Sequence, residues 1–65
     1  QIQLNGMSYE IDNDTNLSEL LNRLKIQKNK VAIEVNGEIV EKNKYPNLIL
    51  RKNDKVEIVH FIGGG

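Results

Sequence analysis

Over the first eleven residues apolar and polar positions alternate: Ile2 and Leu4, then Met7, Tyr9 and Ile11, with Asn5-Gly6 between the two runs. Period two is the spacing of a strand, and Asn-Gly accepts the positive φ that a two-residue hairpin turn demands. Residues 1–11 therefore predict a β-hairpin. After the polar stretch 12–16 the period changes. Leu17, Leu20, Leu21 and Leu24 fall at i, i+3, i+4 and i+7, one stripe of an amphipathic helix. Thr15 or Asn16 is its N-cap. Asn16 with Glu19 three residues on has the form of a capping box, with Asn in place of the usual Ser or Thr. Arg23 and Lys25 set positive charge where the helix dipole is negative. One helix of about ten residues is marginal by itself, so it must lie on a sheet.

Val31, Ile33 and Val35 alternate again, Asn36-Gly37 turns and Ile39-Val40 returns, a second hairpin. Residues 41–47 have no clear period and hold the single proline, which predicts a loop. Leu48-Ile49-Leu50 is a short apolar stretch that ends in a polar turn. The last strand, 55–62, has Val56, Ile58, His60 and Ile62 on one face and Lys55, Glu57, Val59 and Phe61 on the other. The order is strand–strand–helix–strand–strand–strand. One helix cannot cover both faces of a sheet, so the fold class is α+β, a mixed sheet of four to five strands with one helix across one face. The first and last strands are expected side by side at its centre, because the last is the longest and most apolar. A domain over 1–62 and a flexible glycine tail over 63–65 complete the division.

Composition narrows the function classes. Sixty-five residues make one small domain near the lower limit of unaided folding, and eight Ile, seven Leu and five Val supply the core. There is no cysteine, hence no disulfide, thiolate metal site or cysteine nucleophile, and with one histidine a metal centre would have to be built mostly from carboxylates. Lys and Arg number nine, as do Asp and Glu, so the basic excess that nucleic-acid binding needs is missing. No apolar run has the length of a membrane span and no signal-peptide pattern is present, which leads to the expectation of a soluble cytoplasmic domain without membrane or nucleic-acid partners.

The sequence ends in "HFIGGG". Glycine has no Cβ and reaches φ > 0 at little steric cost, so three in a row give a tail that can take up almost any backbone conformation. They extend about 10 Å, enough to carry a carboxylate clear of the sheet. An inert frayed end is the alternative. What lies upstream decides between them. The hairpin–helix–strand order with a Gly-Gly end resembles the ubiquitin-like β-grasp fold, and "VNGEIV" (35–40) with "DKVEIVHFIGGG" (54–65) resembles the ThiS family, the sulfur carriers of thiamine biosynthesis. The resemblance covers essentially the whole chain. Tyr45 departs from the tryptophan of many relatives while keeping an aromatic.

The resemblance implies a protein co-substrate that is not itself an enzyme and binds no cofactor. An adenylating enzyme spends ATP on the C-terminal carboxylate, which is here that of Gly65 with Gly64 as the other half of the diglycine. Sulfur from a donor of the cysteine desulfurase system then gives a thiocarboxylate, and a thiazole synthase takes that sulfur for the thiazole ring. Three other readings share the fold: the small subunit of molybdopterin synthase, a ubiquitin-like modifier, and a plain β-grasp interaction module with an inert tail.

A featureless tail must be recognised through the body that carries it. Alternation puts Val59 and Phe61 on the face away from the helix, next to Lys55 and Glu57, where an aromatic anchor ringed by polar groups forms a partner-binding patch that continues into Gly63. A bulge that reverses the register and buries Phe61 is the competing arrangement. His60 falls on the helix side, near the sheet edge, and has no nucleophile to serve; the acidic residues show no paired spacing. Hence no catalytic or metal-binding residue is expected. Lys25, Lys28 and Lys30 read as a solvated basic loop after the helix.

Overall fold

The computed structural model describes residues 1–61 of the chain. Both Asn-Gly pairs turn as the sequence predicts, each with positive φ at both residues: 49° and 85° at Asn5-Gly6, 53° and 86° at Asn36-Gly37. The first joins β1 (Ile2–Leu4) to β2 (Met7–Tyr9), with Ile2 opposite Tyr9. The second joins β3 (Val31–Val35) to β4 (Glu38–Ile39). Ile11 lies past the end of β2 and packs against the core from there.

Helix α1 covers Leu17–Leu24. Of the two candidate caps, Asn16 is the one used: its Oδ1 accepts the Glu19 N–H at 2.8 Å, and Glu19 Oε1 accepts the Asn16 N–H at 2.9 Å. Two orphan amide donors are thus satisfied reciprocally. Thr15 closes the preceding turn, its hydroxyl donating to the Asp12 carbonyl. The helix stops where Lys25 turns left-handed (φ 59°) and its N–H reaches back to the Asn22 and Leu21 carbonyls. Leu17, Leu20 and Leu21 are buried, and Leu24 packs partly buried beside them.

The sheet order is β2-β1-β5-β3-β4, with β5 (Lys55–His60) at the centre. β5 runs parallel to β1 and antiparallel to β3. This is the mixed five-stranded sheet the sequence predicts, with α1 over one face. Ile2, Val31, Ile33, Val56 and Ile58 from the sheet meet the helix leucines in a single core.

One segment departs from the expectation. Residues 42–47 form a 3₁₀ helix, Lys42–Asn47, and not a loop, and Tyr45 within it is 1% exposed, among the largest side chains of the core. Two turns of 3₁₀ helix bury one residue, which leaves no periodic signature in the sequence. Pro46 is compatible with it because its fixed φ lies in the 3₁₀ range. The Tyr45 hydroxyl has no hydrogen-bond partner among the described residues, and burial pushes the phenol above its ordinary pKa.

The two turn asparagines do more than turn. Asn5 Oδ1 accepts the Ile58 N–H at 2.8 Å, and Asn36 Oδ1 accepts the Lys55 N–H at 2.9 Å while its Nδ2 donates to Asp54. From opposite sides, both hairpins hold the backbone of β5. The expected strand end at Ile62 and the tail 63–65 lie outside the described residues; β5 itself ends at His60.

Candidate functional site: the open sheet face beside the C-terminal tail

Register fixes which side chains share the face that α1 leaves open. In the β3–β5 ladder Val31, Ile33 and Val35 stand opposite His60, Ile58 and Val56 on the helix side, while Ala32 stands opposite Val59 and Glu34 opposite Glu57 on the open side. Glu34 also pairs with Ile39 of β4, so that apolar edge residue joins the same face. Val59 is 58% exposed and Phe61 56%. No bulge reverses the strand, and Phe61 lies outside the core.

Phe61 is held at the point where the strand gives way to the tail. Its N–H donates to the Lys30 carbonyl at 3.0 Å, one rung past the end of β5. Lys42 Nζ lies 5.4 Å from the centre of its ring, within reach of a cation–π contact, and donates to the Val31 carbonyl at 3.2 Å. The face is therefore polarised. A lysine ammonium stands beside the aromatic near the tail, Ala32 and Val59 form the middle, and the Glu34–Glu57 rung places two carboxylates side by side farther along. Like charges directly across a rung weaken pairing.

His60 is on the helix side by register, opposite buried Val31, but its own side chain is exposed because it stands at the strand end; β5 being central, it is not on an edge strand. Lys25, Lys28 and Lys30 are exposed around the 3₁₀ turn Lys28–Lys30. Among the described residues no three His, Cys, Asp or Glu side chains gather, and no helix is long and apolar enough to cross a membrane. Gly63, Gly64 and Gly65 lie outside the described residues. Sequence reasoning overlooked Lys42 because it sat in an aperiodic stretch. Counting the rungs of the second hairpin onward from Glu34–Ile39 puts position 42 opposite Val31, and that was the available signal.

A five-stranded mixed sheet in this order with one helix across it is a ubiquitin-like β-grasp. The family model for the ThiS family matches residues 2–65. A crystal structure of the thiamine biosynthesis protein (ThiS) from Geobacter metallireducens superposes with a TM-score of 0.84 at 34% identity, over 98% of this chain and 97% of that one. The sulfur carrier protein ThiS of Bacillus subtilis is 38% identical over 65 residues, 98% of each chain. The chain belongs to the ThiS family. It is also 40% identical to a thiazole synthase of Magnetococcus marinus over 65 residues, and it spans 20% of that protein's length.

Proposed function

We propose that this protein is a sulfur carrier of thiamine biosynthesis, working through the carboxylate of Gly65. The observation that carries the reading is a family match that runs the length of the chain and includes the three terminal glycines. The carboxylate attacks the α-phosphate of ATP in the adenylating enzyme and pyrophosphate leaves. Sulfide, or a persulfide whose S–S bond a thiol reductant then cleaves, displaces AMP and leaves the thiocarboxylate. Oxide is a hopeless leaving group and AMP a good one, so activation divides one hard substitution into two easier ones. The carrier supplies no catalytic group of its own; ATP is spent by its partner, and a cysteine desulfurase system provides the sulfur.

A similar segment within longer thiazole synthase polypeptides supports a thiazole synthase as the acceptor. A carrier joined to its acceptor works at a raised effective concentration, which pays only when the two must meet. Val59 and Phe61, with Gly63 following, make the face that docks on the adenylating enzyme. Phe61→Ala is expected to weaken that docking by about tenfold or more, the behaviour of an aromatic interface anchor. Its melting temperature stays near the wild type because the ring is half exposed. A large fall in stability in that variant would make Phe61 structural and remove the docking face.

The deciding experiment is intact-mass measurement after incubation with ATP, a sulfide source and a ThiS-adenylating enzyme. The expected result is a gain equal to one oxygen exchanged for one sulfur. An unchanged mass, with the enzyme active on another carrier, defeats the reading. A product linked to lysine amines would mark a modifier instead.

A further inference from the structure

Lys42 belongs to none of the roles assigned so far, yet it makes two directed contacts. It leaves the first turn of the 3₁₀ helix, donates to the Val31 carbonyl at 3.2 Å and places its ammonium 5.4 Å from the Phe61 ring centre. Val31 is the rung partner of His60, so Lys42 grips the final rung of the central strand and the residue after it. Beyond that rung a backbone hydrogen bond from Phe61 to Lys30 continues the pairing. A half-exposed phenylalanine at a strand end has little packing among the described residues to fix its side chain, and an unfixed anchor must lose its rotamer freedom when it docks.

We infer that Lys42 is a positioning residue: it pre-orders Phe61 for capture by the adenylating enzyme. The inference rests on the sulfur-carrier reading. Chemistry favours lysine contact with the ring over a simple surface charge. The carbonyl bond holds the ammonium in place, its attraction to the ring face is electrostatic, and its stem stays partly buried. A positioning role of this kind affects productive binding and leaves the chemical step untouched.

The test uses the full chain in five forms: wild type, Lys42→Met, Lys42→Arg, Phe61→Leu and the double variant Lys42→Met with Phe61→Leu. In the free protein, the NMR order parameter of the Phe61 amide and ring is expected to fall in Lys42→Met and to recover in Lys42→Arg. In the adenylation assay, Lys42→Met raises the KM for the carrier about two- to fivefold with kcat unchanged, the worth of one exposed cation–π contact. Lys42→Arg restores it. In the Phe61→Leu background Lys42→Met changes nothing further, because the contact it breaks is already gone.

Three results overturn the inference. Phe61 order unchanged in Lys42→Met removes the clamp. Phe61 loosened with KM unmoved removes its consequence. A KM effect that persists undiminished in the Phe61→Leu background makes Lys42 a direct contact of the enzyme. The NMR arm needs no partner, so a wild-type chain that never becomes adenylated defeats the sulfur-carrier reading while the clamp is judged separately.

Discussion

Deletion of Gly64 and Gly65 abolishes thiocarboxylate formation and shifts the melting temperature by only a few degrees. The shortened chain still ends in glycine and still has a carboxylate, so what it loses is reach: two residues span about 7 Å. A nucleophile held that far from the α-phosphate has lost the near-attack geometry from which a positioned reaction draws about 7 kcal/mol or more, enough to silence it. Stability is spared because the last buried core residue among the described residues is Ile58, well before the deleted pair. Gly65→Ala keeps the length and the carboxylate and adds a Cβ, and falls between the two in yield. Intact mass and a thermal melt on the three chains decide the matter. A shortened chain that gains sulfur would show that the terminus does not have to reach a buried nucleotide.

Tyr45→Ala unfolds the protein at 37 °C, whereas Tyr45→Phe is as stable as the wild type or more so. Truncating a buried aromatic costs about 3–5 kcal/mol, and a 65-residue core gives a net stability of about the same size. The phenylalanine variant removes only a hydroxyl that has no partner among the described residues, and losing a buried unsatisfied group is neutral or favourable. The two variants also differ with pH. Burial raises the Tyr45 pKa in the fold above its unfolded value of 10.0. The folded state therefore holds the proton more tightly, so this contribution is complete below pH 10 and drains away as pH climbs through the raised value. Tyr45→Phe lacks that alkaline loss. Chemical denaturation at neutral pH and above pH 10 measures both effects; equal alkaline losses in wild type and Tyr45→Phe would show that the phenol is solvated.

Much of this molecule is legible without coordinates because its local signals agree. The two Asn-Gly turns, the Asn16–Glu19 capping box and the Leu17–Leu20–Leu21–Leu24 stripe each specify their own element, and alternation along 55–61 puts Val59 and Phe61 on the open face. What stayed hidden is non-local. Tyr45 reads as a loop residue until α1 and the sheet close over it. Lys42 gains meaning only when the second hairpin carries it across to the end of β5. The side chains of Asn5 and Asn36 look like turn chemistry alone, yet each satisfies an amide of a strand far along the chain. The glycine terminus lies at the opposite limit: its reading comes from family likeness, since glycine offers no side chain to interpret.

The two hairpins never pair with each other. β1 and β3 are joined only through β5, and the Asn5–Ile58 bond spans 53 residues. Closing so long a loop is entropically costly before any rung repays it, which places the docking of the central strand late on the folding route and makes it slow. Until then β1 and β3 each present an unpaired edge open to aggregation. The order of events doubles as a checkpoint. Val59 comes to stand opposite Ala32 only after β5 is in place, so a half-folded chain has no assembled open face, and any partner that docks there meets only finished molecules.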